Sequence, residues 1–306
     1  ILHRAEDNHP LEKAEIKFLL GLSDPDQIRL LFKAARQVRE AHFGNGVFLY
    51  GFLYFSTHCR NECNFCQYRK SNIDLPRYRK TTDQIVAAAM EMADSGVHLI
   101  DLTMGEDPQF YLPDANHSPG LIGRGFVQIA GTVRAVQKQT HCPVMISPGA
   151  LPERALSDLA DAGTSWYACY QETHNPELFQ RLRQGQDFQQ RVRLKSLAKA
   201  HGMLVEEGIL TGVGETLDDL ADSILWMKQF QVDQARVMTF VPHHNTPMGN
   251  LAAQDSLKER IIIAVMRLTL PDRLIPASLD VDGLSGLKER LDAGANVVTS
   301  IVPPQK

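Results

Sequence analysis

Short apolar runs alternate with amphipathic stretches along most of this chain, and the alternation is regular. Strand-like runs fall at about 47–56, 98–105, 143–148, 165–171, 204–211, 235–240, 274–280 and 296–302. Between them the apolar positions recur at helical period. One helix is expected after the cap formed by Thr81 and Gln84, with Val86, Met90, Ala93 and Val97 on its core side. Another is expected to bury Leu217, Leu220, Ile224 and Met227 and to turn Asp218, Asp219 and Asp222 outward. Gly96, Gly163, Gly202 and Gly294 stand where helices should stop, because a residue without Cβ adopts the left-handed conformation that ends them. Ahead of the first strand, residues 11–42 read as helices. Leu19, Leu20, Leu30, Leu31 and Ala35 lie at helical spacing, with a break at Asp24-Pro25.

Eight such repeats joined by short links predict an α/β fold, a (β/α)8 TIM-type barrel preceded by an N-terminal helical segment. The boundaries are residues 1–45 for the helical segment and 46–306 for the barrel. The alternative is an open, doubly wound sheet, which would carry a break where the strand order reverses; none is visible. One long irregular stretch, 107–123, is rich in Pro, Gly and Asp and follows the second strand, so it belongs on the rim of the barrel.

Composition narrows the function by exclusion. With 306 residues and 43% hydrophobic content, the chain is long enough for one large core. Lysine and arginine number 32 against 36 acidic residues, and a net charge of −4 gives no signal for nucleic acid or an acidic membrane. No apolar run approaches a membrane span. The polar, helix-forming start at Ile1 does not read as a signal peptide, and the missing initiator methionine points to a trimmed or matured chain. Five cysteines, three of them crowded together, are not a disulfide framework. Cys142 and Cys169 lie in apolar, strand-like contexts and read as small core residues. A group of thiolates needs a reducing interior, so the expected compartment is cytoplasmic.

The crowded cysteines are Cys59, Cys63 and Cys66, spaced C-x3-C-x2-C within His58–Gln67. Closed zinc sites and ordinary iron–sulfur clusters take four protein ligands. Three thiolates on a 4Fe–4S cluster leave one iron open to a small molecule. A zinc knuckle that recruits His58 as fourth ligand is the other possibility. His243 and His244 sit between Val241-Pro242 and Asn245-Thr246-Pro247, a surface-loop context that argues against ligation.

Barrels of this class build their active sites at the C-terminal ends of the strands. There the first strand leads directly into the cysteines. The second delivers Asp101, Thr103 and Glu106, the third Ser147, the fourth Glu172, the sixth Arg236, and the seventh Ser278 and Asp280. Polar groups inside apolar strands are costly unless paired. Asp101 and Arg236 could form a structural pair under the barrel floor. Six strands with polar ends favour instead a polar ligand, and Asp101, Asp280 and Arg236 suit a zwitterionic amino acid.

The cysteine segment, with aromatic Phe65 before the last cysteine, resembles the signature of the radical SAM superfamily. The resemblance implies a 4Fe–4S cluster on Cys59, Cys63 and Cys66 that binds S-adenosylmethionine (SAM) and cleaves it to a 5′-deoxyadenosyl radical. Met104-Gly105-Glu106 is similar to the family's Gly-Gly-Glu element for the SAM amino group, with methionine in place of the first glycine. Gly208–Glu215 resembles the GxIxGxxE element near the adenine, including Gly212. Its plainer reading is a strand-to-helix turn. Glu172, Arg183 and Arg191 resemble the set that holds the SAM ribose and carboxylate in the biotin synthase-like branch; both arginines could also be solvated helix residues.

Further stretches resemble the 3-methylornithine synthase family across nearly the whole chain. They include Tyr54–Cys59, Asp101–Pro108, Met145–Gly149, Leu182–Gln186, Arg236–Phe240 and Leu274–Asp280. This implies a radical SAM mutase, an isomerase that turns L-lysine into (3R)-3-methyl-D-ornithine at the start of pyrrolysine biosynthesis. Cleavage of Cα–Cβ would give a glycyl radical and an aminobutene fragment that rejoin at another carbon. Asp101 and Asp280 would hold ammonium groups, Arg236 the carboxylate, with Ser147 and Ser278 as hydrogen-bond partners. A flavodoxin or ferredoxin would supply the electron. The family also carries a C-terminal helical segment past the eighth strand, beyond Lys306 of this sequence. Within enzymes the alternative is an FeFe-hydrogenase maturase type; biotin synthase needs a second cluster, for which only Cys142 and Cys169 remain. The non-enzyme alternative is a zinc-knuckle scaffold.

Overall fold

The computed structural model describes residues 1–7, 9–111 and 124–302. Eight strands form one sheet: β1 (Phe48–Ser56), β2 (Leu99–Met104), β3 (Val144–Ser147), β4 (Trp166–Ala168), β5 (Leu204–Thr211), β6 (Gln234–Thr239), β7 (Pro276–Ala277) and β8 (Val297–Ile301). Their order is β6-β5-β4-β3-β2-β1-β8-β7, and every pairing is parallel. A parallel bridge between Gln234 and Leu274 joins the two ends, with Ala235 N donating to Leu274 O at 2.9 Å. The sheet thus curls into a nearly closed barrel with no reversal of strand order, which sets aside the doubly wound alternative.

Two strands are shorter than the apolar runs suggest. β4 ends at Ala168 because the chain departs towards Glu172, whose φ of 67° lies in the left-handed region. β7 is confined to Pro276–Ala277, where proline has no N–H for the ladder and the side-chain oxygen of Asn296 accepts from Ile275 N at 2.8 Å.

The expected caps and stops are present. Thr81 and Gln84 cap helix Thr82–Asp94 reciprocally, Asp24 caps helix Pro25–Phe43, and Gly96, Gly163, Gly202 and Gly294 all have positive φ. The buried face of Thr82–Asp94 is not the expected one. Ile85, Ala89 and Met92 are buried while Met90 is 41% exposed. Gly51 on β1 explains the phase: a Cβ there would run into the Met92 side chain, so the missing side chain is the notch that receives it. Val97 is buried, but beyond the helix. In helix Leu217–Phe230, Leu220, Ile224 and Met227 are buried as expected, whereas Leu217 is partly exposed in the first turn. Leu30 likewise faces outward while Ile28, Leu31, Ala34, Ala35 and Val38 are buried.

The N-terminal helices share one apolar core with β6 and with helix Leu257–Thr269. A second core lies between β1–β5 and their flanking helices. Inside the barrel, Tyr50, Leu99, Met145, Trp166 and Val297 pack together and close its floor. Of the stretch 107–123, Pro108–Tyr111 is helical, and 112–123 lie outside the described residues. No helix among the described residues is long and apolar enough to cross a membrane.

Candidate active site

A cavity of about 390 Å³ opens above this floor at the C-terminal ends of the strands. Cys59, Cys63 and Cys66 all line it. Their loop is shaped by Arg77, whose guanidinium donates to the carbonyls of Thr57, Tyr68, Arg69 and Asn72 at 2.5–3.1 Å. Its base is tied to β2 by Asp107, which takes two bonds from Arg79 and one from Ser56 Oγ. Gly105 admits no side chain because a Cβ would collide with the carbonyl of His58. Burial pushes the Cys66 thiol up to about 12, and burial raises Cys59 too. The three thiols share one cavity wall, although among the described residues no three such donors are gathered closely enough to enclose a metal ion as they stand.

The neighbouring wall holds the residues expected around SAM. Glu172 is buried and pairs with Arg183, Oε1 to Nη2 2.6 Å, while Arg183 lies over the Phe65 ring at 5.3 Å. Burial raises the Glu172 carboxyl against the pull of Arg183 and Arg191. Gln186, within the stretch Leu182–Gln186, donates to Cys63 Sγ at 3.0 Å. Arg191 is buried, donates to Tyr170 O at 2.7 Å and stands 3.6 Å from Glu106 Oε1. Neither arginine is a solvated helix residue. Glu106 also accepts from Ala150 N and Arg60 Nε. Two buried atoms beside this wall, Glu172 Oε2 and Arg183 Nε, have no partner among the described residues. Buried polar atoms are normally bonded, so these two fit a ligand rich in hydroxyl, amine and carboxylate groups. Gly212 stands apart: it does not line the cavity, and its amide and that of Val213 donate to Glu215. Locally this element is the strand-to-helix turn.

The opposite end is a polar network set among aromatic rings. Asp101 is wholly buried and accepts from Tyr50 at 2.9 Å, Thr103 at 2.6 Å and Ser147 at 2.7 Å. Burial pushes its carboxyl up to about 6, with the nearby Glu206 charge acting in the same direction. Asp101 does not pair with Arg236. Arg236 Nε instead donates to Glu206 at 2.8 Å, and Tyr50 joins the two carboxylates by a 3.1 Å contact to Glu206. The Arg236 guanidinium lies 5.0–5.9 Å from the Tyr50, Phe52 and Tyr170 rings, and its Nη2 has no partner among the described residues. Ser147, Arg236 and Asp280 line the cavity; Ser278 is buried behind and donates to Asp280 at 2.6 Å.

The sequence reading missed Glu206 and Glu207, although two adjacent acids inside an apolar strand were a signal. Strand alternation sends them to opposite sides. Glu206 enters the barrel. Glu207 faces the helices, where it pairs with wholly buried Lys195 and accepts from the amides of Gln171 and Gly208. Burial alone would raise Glu207, but the Lys195 charge, with the His174 ring 3.7 Å away, brings it to about 2. Cys169, read as a core residue, is buried but lines the cavity, whereas Cys142 does not.

Comparison with known proteins places these features in a family. Residues 53–227 match the Radical SAM superfamily. The chain is 42% identical to 3-methylornithine synthase of Methanosarcina barkeri, over 97% of this chain and 81% of that protein. It is 31% identical to the [FeFe] hydrogenase maturase subunit HydE of Thermotoga maritima, over 92% of this chain and 78% of that one. A crystal structure of methylornithine synthase (PylB) superposes with a TM-score of 0.91 at 39% identity, covering 100% of this chain and 87% of that one.

Proposed function

The chain belongs to the radical SAM superfamily and, within it, to the 3-methylornithine synthase family, and we propose that it converts L-lysine to (3R)-3-methyl-D-ornithine, the first step of pyrrolysine biosynthesis. It is a carbon-skeleton mutase, an isomerase, that uses a 4Fe–4S cluster and SAM. The observation that carries the reading is that likeness to 3-methylornithine synthase runs through 97% of the chain, both ends of the cavity included. The maturase reading has less support, at 31% identity against 42%. The zinc-knuckle reading has no support among these relatives.

When bound, the cluster and SAM supply a 5′-deoxyadenosyl radical. Cys59, Cys63 and Cys66 would hold the cluster. Phe65, Glu106, Glu172, Arg183 and Arg191 would hold SAM, with Gly212 shaping the turn behind them. The partnerless atoms of Glu172 and Arg183 support that assignment. On the other side Arg236 would take the lysine carboxylate, Asp280 one ammonium group and Asp101 the other, with Ser147 and Ser278 as hydrogen-bond partners. The aromatic walls around Arg236 exclude water and hold the carbon skeleton between its charged ends. Fixed ends keep cleaved fragments from separating before they rejoin, which is where positioning contributes most. The electron would come from a flavodoxin or ferredoxin in a reducing, cytoplasmic compartment.

Anaerobic incubation of the purified protein with reductant, SAM and L-lysine, followed by mass spectrometry and chiral separation, tests the reading. A product isomeric with lysine that co-migrates with synthetic 3-methylornithine is expected. SAM cleavage without such a product would overturn the substrate assignment.

A further inference from the structure

Arg236 lies in an aromatic cage, and a cage alone does not orient it. The faces of Tyr50, Phe52 and Tyr170 attract a guanidinium but leave it free to turn in its own plane. Glu206 accepts from Nε at 2.8 Å and is itself fully buried, and the Asp280 charge also acts on the guanidinium. The other Glu206 oxygen lies 3.1 Å from the Tyr50 hydroxyl, whose single proton it shares with Asp101 at 2.9 Å. Glu206 thus engages the guanidinium on one edge and leaves Nη2 without a partner. A buried guanidinium with an empty donor is poised for a second acceptor.

We propose that Glu206 is a positioning residue that sets substrate specificity: it fixes Arg236 by its Nε edge, so that the unbonded Nη2 selects substrates carrying a carboxylate. This rests on the reading that Arg236 takes the lysine carboxylate. Glu206 does not touch the substrate. Its contribution is the orientation of the group that does, and the compensation of a charge that would otherwise be buried alone. A diamine of the same chain length gains nothing from Nη2. The preference for lysine over 1,5-diaminopentane therefore measures this contact separately from the two ammonium contacts.

The test is calorimetric binding of lysine, 1,5-diaminopentane and SAM to the cluster-loaded, SAM-saturated enzyme under anaerobic conditions, SAM being titrated separately. Glu206→Gln keeps the size of the side chain and removes its charge. It is expected to weaken lysine about ten-fold, equivalent to about 1.4 kcal/mol, and to leave the diamine and SAM within about two-fold. If Glu206→Gln does not fold, Glu206→Asp carries the same test, because a side chain one methylene shorter cannot reach Nε. Equal weakening of lysine and diamine, or no weakening of either, would overturn the role of Glu206. Arg236→Met separates the two claims: if it leaves the lysine preference intact, the carboxylate assignment has failed. If Arg236→Met abolishes the preference and the Glu206 variants retain it, only the positioning role has failed.

Discussion

The two ends of the cavity are built on opposite plans. The end proposed for the cofactors is a loop, Arg191 on one helix and Arg183 just past the end of another, with buried polar atoms on Glu172 and Arg183 that nothing among the described residues completes. The end proposed for the substrate consists of strand-borne side chains, with Asp101 accepting from Thr103 and Ser147 and with Tyr50 between Asp101 and Glu206. One end would be finished by its ligands; the other is largely bonded within the chain, with Arg236 Nη2 buried and unpartnered among the described residues. Removing a ligand or an outside support should therefore damage the first end more than the second.

The largest effect is expected at the cysteines. Alanine at Cys59, Cys63 or Cys66 is expected to abolish the brown colour and SAM cleavage altogether. Replacing Cys142 and Cys169 together should leave about four irons per chain, as a single cubane requires. Iron analysis decides this, and a fall to half the parent value would mean a second cluster. Next in size is Lys195→Met, which strands Glu207 as an unpaired buried charge behind the Cys169–Gln171 backbone. Denaturant unfolding of the cluster-free chain should show a loss of about 3–5 kcal/mol. A loss below 1 kcal/mol would show that the cofactor end does not depend on that support.

The substrate end should respond to pH. A carboxyl whose pKa is higher in the folded chain binds its proton more tightly there. The stability contributed by the Asp101 proton is therefore present below the ordinary value of 3.8 and lost as pH rises through about 6. The loss is about 3 kcal/mol at most, taking roughly two units at about 1.4 kcal/mol each. Asp101→Asn should flatten that part of the stability–pH curve of the cluster-free chain; an unchanged slope would mean the proton resides elsewhere in the network. The smallest effect is expected at Asp280. It is exposed, so Asp280→Asn should weaken lysine by only about five-fold, or about 1 kcal/mol, with uncoupled SAM cleavage unchanged. Loss of SAM binding instead would move Asp280 to the cofactor end.

The same contrast explains what was legible in the sequence. The cofactor end is local in the chain: three cysteines and Phe65 fall within eight residues, and a spacing can be read without knowing the fold. The barrel was legible because its period repeats eight times, and its stops because left-handed glycines have few other uses. The phase of helix Thr82–Asp94 was not, since it is set by a notch at Gly51 some thirty residues earlier. The partner of Arg236, Glu206, was not legible for a similar reason. Asp101 and Glu206 are both acids on inward-facing strands, and register across five strands decides which one meets the guanidinium. Gly212 carried a motif, yet the geometry around it is that of a turn closed by Glu215.

A barrel whose last junction is one bridge, Gln234 to Leu274, is mechanically a rolled sheet held by a clasp. Arg236 stands on one lip of that seam, and Asp280 follows the strand on the other. A zwitterion gripped at both groups would be a second clasp, sewn across the seam from inside. Parting the lips would draw the two charges away from each other and loosen both grips at once.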